Sequence, residues 1–241
     1  MKIFGHRGSA GNRPENTLVS FQEAARAGAD GIELDVQLSK DGVPVILHDE
    51  RVNRTTNGEG WVKDLTFAEL RALDAGGWFA EEYRGEKIPS LDEVLEWLVG
   101  TDLVVNIELK TGVVRYEGIE EKVLELVQKH KLEERVILSS FNHYSLVEAR
   151  RLHPTIETAI LFMEGLYEPW TYAKTVGAQG LHPFVPVAVP ELLQGAAEAK
   201  MPVRPFTVND EAVMEKLIRG GAAGFFTDHP ERAVAVRRNL A

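Results

Sequence analysis

The sequence predicts an α/β protein that folds as one closed TIM (β/α)8 barrel. The chain has 241 residues, and a single barrel of this kind takes about 250 residues. Short apolar runs alternate with helical stretches eight times along the chain, as a barrel of eight strand–helix units requires. The turn after the first run reads GHRGSAGNR. It lacks the G-x-G-x-x-G pattern typical of an open dinucleotide-binding sheet.

The order of the elements follows from the hydrophobic pattern. The strands are predicted at residues 3–6, 31–38, 103–109, 135–139, 157–162, 179–182, 203–208 and 224–227. The helices are predicted at residues 18–27, 91–98, 116–130, 144–152, 170–176, 190–199, 211–219 and 230–238. Residues suited to cap helix starts precede three of these helices: Asn16 and Thr17, Ser90, and Asn209. Glycines suited to helix ends follow three: Gly28, Gly177 and Gly220.

One stretch interrupts the alternation. Residues 36–39 and 44–48 flank Lys40-Asp41-Gly42, and the Asp-Gly pair predicts a tight β-hairpin. Residues 49–89 then precede the helix at 91–98. We expect them to form an insertion subdomain over the active-site face, because loops at that face of a barrel surround the active site. Four aromatic residues are expected to form its small core, or alternatively an exposed rim for long-chain substrates: Trp61, Trp78, Phe79 and Tyr83.

Composition excludes several classes of function. The chain is 44% hydrophobic and 27% charged, which is typical of a soluble globular protein, and no apolar run reaches the roughly 20 residues of a membrane span. Cysteine is absent, so disulfides, thiolate catalysis and zinc–sulfur sites are excluded. The formal net charge of −10 opposes general binding of nucleic acid. Because the first residues lack the apolar stretch of a secretory signal, we expect a cytoplasmic protein. From the length we expect one domain over residues 1–241.

Polar residues occupy positions that face the barrel interior. Glu33 and Asp35 alternate with aliphatic residues in one predicted strand, and Glu108 does so in the next. Both faces of a barrel strand are dry, so the aliphatic face meets the helices and the carboxylates point inward. Neighbouring strands lie about 4.8 Å apart, so the three carboxylates are expected to converge. An all-oxygen site for Mg²⁺ or Ca²⁺ offsets their repulsion; the alternative is a structural ion-pair cluster with Arg7 and Lys110.

Two histidines end predicted strands on the same face. His6 follows the first strand and His48 follows the returning arm of the hairpin. An unperturbed histidine pKa of about 6.5 suits proton transfer near neutrality, so this pair is predicted to act as general acid and base. The other five histidines are expected to be solvated or structural, although His182 and His229 also stand near strand ends, where a rim residue of the site would lie.

The motifs together resemble those of the glycerophosphodiester phosphodiesterases. Those that carry the resemblance are His6-Arg7-Gly8, Pro14-Glu15-Asn16-Thr17, Gly31-Ile32-Glu33-Leu34-Asp35-Val36, His48-Asp49, Thr55-Thr56-Asn57-Gly58, Ile107-Glu108-Leu109-Lys110, Phe206-Thr207-Val208-Asn209 and Phe226-Thr227-Asp228-His229-Pro230. The resemblance implies a TIM barrel with an insertion after its second strand. It also implies hydrolysis of a glycerophosphodiester, a small-molecule substrate, to sn-glycerol 3-phosphate and an alcohol.

The resemblance also implies roles for individual residues. The implied catalytic pair is His6 and His48. The implied ligands of a divalent cation, Mg²⁺ or Ca²⁺, are Glu33, Asp35 and Glu108. The implied phosphate contacts are Arg7 and Lys110. Phe206 stands where family members commonly have Trp, and Pro205 is unusual in that strand. Phe206 is expected to line a glycerol-side pocket, and these two departures would change the shape of that pocket.

The sequence leaves several alternatives open. Either histidine can be the acid, and the nucleophile is water or the glycerol 2-hydroxyl. Lysophospholipids are a second substrate class for the same site. A non-catalytic phosphate-binding barrel would be expected to lack part of the catalytic set. A sugar-phosphate isomerase or aldolase would use Lys110 as a proton-transfer or Schiff-base lysine, but neighbouring carboxylates favour its charged form.

Overall fold

Parallel strands and helices alternate along the chain. A computed structural model of the protein describes residues 1–240. Its strands are β1 (Lys2–Gly5), β2 (Gly31–Leu38), β3 (Pro44–Ile46), β4 (Val104–Leu109), β5 (Val136–Ser140), β6 (Glu157–Phe162), β7 (Gly180–Pro183) and β8 (Gly224–Thr227). Its α-helices are α1 (Leu18–Arg26), α2 (Phe67–Ala72), α3 (Leu91–Val99), α4 (Ile119–Lys129), α5 (His143–Leu152), α6 (Pro169–Val176), α7 (Pro190–Glu198), α8 (Glu211–Arg219) and α9 (Pro230–Asn239). No helix within residues 1–240 has both the length and the apolar character needed to cross a membrane.

Seven strands pair in parallel in the order β7-β6-β5-β4-β2-β1-β8. The outward side chains of β2, such as Ile32 and Leu34, are fully buried in one cluster with Leu91 and Leu95 of α3. The inward side chains include Phe4 and three other apolar residues, which pack together inside the barrel: Ile137, Ala159 and Phe226. Both faces of the sheet are therefore dry, as predicted for a barrel with helices outside.

The eighth barrel strand predicted at residues 203–208 is irregular. Val203 forms an isolated parallel bridge to Leu181 of β7, and the backbone N–H of Phe226 in β8 donates to the carbonyl of Pro205 at 2.9 Å. The segment thus lies between β7 and β8 and closes the barrel. It forms no regular strand because Pro202 and Pro205 have no N–H to donate to a ladder. The predicted position is correct and the predicted regularity is wrong.

The hairpin is present. Strand β3 pairs antiparallel with the end of β2, with Val36 opposite Ile46 and Leu38 opposite Pro44. Residues 49–89 follow and contain α2 together with 3-10 turns at Val62–Asp64 and Glu81–Tyr83. Their description as a subdomain over the active-site face stays a prediction.

The small core beside this segment is aliphatic. It contains Val45, Leu47, Val52, Val62, Leu70, Ala75 and Ile88. The prediction that Trp61, Trp78, Phe79 and Tyr83 form it is wrong. Trp78 is 39% exposed, the other three are half-buried, and Phe79 packs edge-on against both Trp78 and Tyr83. These rings pack against one another, and Trp61 lies beneath the cations of Arg51 and Lys63. Aliphatic side chains fill the space under α2.

Helix caps differ from the sequence prediction at two positions. Thr17 and Ser90 cap α1 and α3 as expected. Asn16 does not act as a cap, because its side-chain amide donates to Asp35. Asp210, and not Asn209, caps α8, because the Asn209 side chain bonds to Asp228.

His182 is not a rim residue. Its side chain is fully buried inside the barrel, 4.9 Å in an edge-on arrangement from the Phe226 ring. Burial, together with the neighbouring charge of Arg204, lowers the pKa of His182 well below its usual value, so the ring is neutral. His182 therefore belongs to the packed interior and takes no part in the strand-end site.

Candidate active site

Three carboxylates converge at the carboxyl ends of β2 and β4. The parallel register places Asp35 opposite Glu108 and Glu33 opposite Asn106. One oxygen from each of Glu33, Asp35 and Glu108 lies within 4.8 Å of the corresponding oxygens of the other two. Glu33 and Asp35 are 4% and 1% exposed. The alternation read from the sequence thus brings the three residues together as expected.

Two cations lie against this carboxylate cluster. The Arg7 Nε atom is 3.4 Å from Asp35 Oδ2, and Lys110 Nζ lies 2.9 Å from Glu108 Oε1 and 3.8 Å from Asp35 Oδ1. Glu33 has no such side-chain ion pair within residues 1–240 and accepts only the backbone N–H of Arg7, at 2.8 Å. Ion pairs therefore neutralise Asp35 and Glu108 but not Glu33, so the structural ion-pair cluster considered from the sequence is only partly formed.

The pKa values of the cluster show the remaining imbalance. Burial and the nearby charges of Asp35 and Glu108 raise the pKa of Glu33 well above its usual value. Burial also raises the pKa of Glu108. Although burial opposes ionisation of Asp35 as well, the charges of Arg7 and Lys110 lower the pKa of that carboxyl. Ionising all three carboxylates together is therefore unfavourable without a further positive charge.

A divalent cation fits this donor set. Glu33, Asp35 and Glu108 offer only carboxylate oxygens, which hard cations such as Mg²⁺ and Ca²⁺ prefer. A cation among them would lower the cost of charging Glu33 in a buried position. The acidic cluster therefore has the chemistry of a metal site.

The backbone around the carboxylate cluster is strained. Arg7 and Asn16 have φ angles of 51° and 58°, in the left-handed region that residues other than glycine rarely adopt. In this conformation the Arg7 N–H donates to Glu33, and Asn16 Nδ2 donates to Asp35 Oδ2 at 2.8 Å. Such strain is typical of functional sites. Sequence reasoning assigned Asn16 only to a helix cap and missed its contact with Asp35.

Both predicted catalytic histidines are held by a carboxylate. The Nδ1 atom of His6 lies 2.7 Å from Asp228 Oδ1, and Asn209 donates to the other oxygen of Asp228 at 2.6 Å. The Nδ1 atom of His48 lies 2.7 Å from Asp49 Oδ1. A carboxylate beside Nδ1 favours the tautomer that carries its proton there. This leaves Nε2 of each ring as the atom that can exchange protons with a substrate.

The loop that carries His48 rests on a buried glutamine. Gln37 Nε2 donates to the carbonyls of Leu47 at 2.9 Å and Asp49 at 2.7 Å. Its Oε1 accepts the Tyr116 hydroxyl hydrogen at 2.9 Å. Sequence reasoning missed Gln37 and Tyr116. The inward position of Gln37, two residues after Asp35 in β2, is the signal that could have identified the glutamine.

Phe206 lies in an aromatic group on the opposite side of the barrel mouth. Its ring is 5.8 Å from Phe141, edge-on, and 6.0 Å from Phe184. Several exposed apolar side chains stand on the loops after β5, β6 and β7, and we call them the apolar rim: Phe141, Met163, Leu166, Tyr167 and Val189. A recess of about 420 Å³ lies beside Phe141, Leu166 and Tyr167. Trp78 of the insertion is 39% exposed, the same as Leu166, so both regions present apolar side chains to solvent.

The barrel, with charged groups gathered at its strand ends, has the architecture of an enzyme. The sequence pattern described as the Glycerophosphoryl diester phosphodiesterase family matches residues 6–232. The chain belongs to that family, which confirms the resemblance seen in its motifs.

Individual relatives agree. A glycerophosphodiester phosphodiesterase of Caldanaerobacter subterraneus subsp. tengcongensis is 48% identical over 98% of this chain and 97% of its own length. A phosphodiesterase of Oleispira antarctica, solved in complex with the product sn-glycerol-3-phosphate, is 33% identical, with a TM-score of 0.89 over 99% of this chain and 97% of that one. A putative glycerophosphoryl diester phosphodiesterase of Silicibacter pomeroyi is 27% identical, with a TM-score of 0.91 over 100% and 94%. These similarities confirm the predicted TIM barrel and enzyme class.

Proposed function

We propose that the site hydrolyses a glycerophosphodiester to sn-glycerol 3-phosphate and an alcohol, with one divalent cation and two histidines. The observation that carries the proposal is the carboxylate cluster beside Arg7 and Lys110. His48 lines the same recess as Asn16, whose amide donates to Asp35. The sn-glycerol-3-phosphate bound to the Oleispira antarctica relative supports the identity of the product.

Glu33, Asp35 and Glu108 are the residues that would hold the cation. When bound, Mg²⁺ or Ca²⁺ would draw charge from a phosphate oxygen and reduce the repulsion met by an incoming nucleophile. Asn16 and the Arg7 backbone N–H keep Asp35 and Glu33 in place.

Arg7 and Lys110 are proposed to bind the phosphate. Burial opposes their charge, but the surrounding carboxylates raise the pKa values of both groups, so both stay charged. Arg7 Nη1 donates to Glu15 Oε1, and Nε lies 3.4 Å from Asp35 Oδ2 without forming a hydrogen bond. Lys110 adds a point charge on the β4 side. These local cations bind an anionic substrate even though the chain as a whole carries a formal charge of −10.

His6 and His48 are proposed to transfer protons through Nε2. One ring removes a proton from the nucleophile, either water or the glycerol 2-hydroxyl, while the other protonates the departing alkoxide. Asp228 and Asp49 hold the rings through Nδ1 and stabilise their protonated forms.

The state of Lys110 argues against a Schiff-base or proton-abstracting lysine. Its ammonium is 2.9 Å from Glu108, and the carboxylates raise its pKa. The charged form is not a nucleophile, which favours phosphate binding over the chemistry of an aldolase or isomerase barrel.

The apolar rim favours lysophospholipids as a second substrate class. Phe141, Met163 and Leu166 are 42%, 43% and 39% exposed, and the Phe141 ring packs edge-on against Phe206. Exposed apolar side chains around a site are typical of apolar ligands. Choline release from glycerophosphocholine and from lysophosphatidylcholine in one assay separates the two substrate classes.

The test of the proposed function uses protein stripped with EDTA and supplied with glycerophosphocholine. Release of glycerol 3-phosphate is expected only after Mg²⁺ or Ca²⁺ is added back. Full activity without either cation would contradict the role given to the carboxylate cluster. The cytoplasmic location and the lack of nucleic-acid partners stay predictions from the sequence.

A further inference from the structure

Arg54 joins two carboxylates with a double fork. Its Nε and Nη2 donate to Asp49 Oδ2 and Oδ1 at 2.7 and 2.9 Å. Its Nη1 and Nη2 donate to Glu15 Oε2 and Oε1, both at 2.8 Å. All three nitrogens of the guanidinium are engaged. The side chain thus links the loop after β1, which carries Glu15, to the segment after β3.

Each carboxylate in this link also holds a residue of the proposed active site. Asp49 Oδ1 accepts from His48 Nδ1 at 2.7 Å. Glu15 Oε1 accepts from Arg7 Nη1 at 2.8 Å. A continuous chain of charge-assisted hydrogen bonds therefore runs from His48 through Asp49, Arg54 and Glu15 to Arg7. We call these five residues the His48–Arg7 bridge.

We propose that Arg54 and Glu15 are positioning residues that set the orientation of His48 relative to the phosphate-binding Arg7. Neither residue touches the reacting atoms in this proposal, which rests on the proposed roles of His48 and Arg7. The bridge fixes the position of the His48 ring relative to the Arg7 guanidinium, because a shift of either side chain moves the carboxylates that Arg54 holds. A displacement of about 1 Å at a reacting group can cost 100-fold in rate.

The bridge differs from an ordinary surface ion pair. Isolated exposed pairs contribute little, and Arg54 is 44% exposed, but Glu15 is only 12% exposed. Although burial opposes its ionisation, the hydrogen bonds from Arg54 and the charge of Arg7 lower the pKa of Glu15. The same bonds raise the pKa of Arg54. Planar forks of this kind fix geometry as well as charge.

Lysine cannot replace arginine in this role. An ammonium is a point charge without a planar fork, so Arg54→Lys keeps the charge and breaks the double fork. The matched control is Arg84→Lys, also in the segment between β3 and α3, where Arg84 forks onto Glu81 alone. We expect Arg54→Lys to lower kcat about 10- to 100-fold with little change in melting temperature, and Arg84→Lys to change neither.

A double-mutant comparison tests whether Arg54 acts through His48. If it does, Arg54→Lys causes a smaller fold-loss in a His48→Ala protein than in the wild type, measured as release of glycerol 3-phosphate. The same fold-loss in both backgrounds would overturn the proposal, as would full activity of Arg54→Lys alone. Full activity of His48→Ala alone is a different result, because it would overturn the proposed role of His48 and the bridge together.

Glu15→Gln gives a second variant of nearly the same shape. It removes the charge between Arg7 and Arg54 and leaves one accepting oxygen. We expect a raised KM for glycerophosphocholine as well as a lower kcat, because Arg7 loses its fixed partner, and a loss in the Arg54→Lys background smaller than in the wild type. An unchanged KM and kcat in a folded Glu15→Gln protein would contradict the bridge, even if Arg54→Lys fails to fold.

Discussion

The Nδ1 atom of His6 lies 2.7 Å from Oδ1 of Asp228, a residue 222 positions later in the sequence. This contact joins the residue after β1 to the residue after β8, across neighbouring strands of the barrel. Burial opposes ionisation of Asp228, but the contact with His6 and the bond from Asn209 lower its pKa. Asp228 is therefore an ionised partner for the His6 ring.

Asp228→Asn should lower kcat about 10- to 100-fold. The substitution keeps the shape of the side chain but removes the charge that holds the His6 tautomer. Asp210→Asn is the matched control, because Asp210 caps α8 and asparagine caps a helix equally well. Equal kcat values for the two variants would contradict the role given to Asp228.

Removal of either imidazole should have a larger effect. We expect His6→Ala and His48→Ala each to lower kcat roughly 100- to 10,000-fold with metal present, because each ring supplies one proton transfer. Steady-state release of glycerol 3-phosphate measures the loss, and circular dichroism checks the fold. Near-normal turnover in either variant would show that the ring is dispensable.

Glu33→Gln should abolish activity and yet stabilise the metal-free protein. The folded-state pKa of Glu33 is raised, so the folded protein binds its proton more tightly than the unfolded chain does. Stability contributed by this group is present at low pH and is lost as pH rises toward the raised pKa. At neutral pH the neutral glutamine should gain on the order of 1 kcal/mol, measured by urea unfolding in EDTA. A less stable Glu33→Gln protein would contradict the unfavourable charging of Glu33.

Leu166→Ser should separate the two substrate classes. Loss of this rim side chain should reduce kcat/KM for lysophosphatidylcholine roughly fivefold, the equivalent of about 1 kcal/mol of apolar contact, with little effect on glycerophosphocholine. Val99→Ser is the control, since Val99 is 54% exposed and ends α3 away from the apolar rim. Equal effects on both substrates would contradict a role of the apolar rim in binding lysophosphatidylcholine.

Leu70→Ala should destabilise the segment between β3 and α3 by about 2–5 kcal/mol, because Leu70 is fully buried in its aliphatic core. Trp78→Ala should cost less than about 1 kcal/mol, since the ring is 39% exposed. Thermal unfolding of the two variants checks the order. A larger loss of stability for Trp78→Ala would support the aromatic core expected from the sequence.

Strand alternation explains why much of the site could be predicted. The two-residue period placed Glu33 and Asp35 on one face, and the fixed spacing of neighbouring strands brought Glu108 to them. Both relationships are local or follow directly from the barrel. Asp228 and Arg54 could not be found in this way, because their contacts with His6 and Glu15 depend on how distant loops meet in space.

Competing partners explain the errors at the helix caps. Asn16 and Asn209 have side chains suited to capping, but tertiary contacts with Asp35 and Asp228 engage them instead. The aromatic core predicted for the insertion is wrong for a related reason. Hydrophobic residues need not be buried, and the smaller aliphatic side chains fit the space around Val62 and Leu70.

The proline-interrupted segment between β7 and β8 leaves the barrel wall with a seam. Pro202 and Pro205 supply no amide hydrogen there, but their carbonyls accept from the backbone N–H groups of Leu181 in β7 and Phe226 in β8. The two prolines thus bond to the neighbouring strands as acceptors only. The seam is separated from β2 and β4 by β8 and β1. Closure of the barrel wall and the spacing of Glu33, Asp35 and Glu108 therefore depend on different strands.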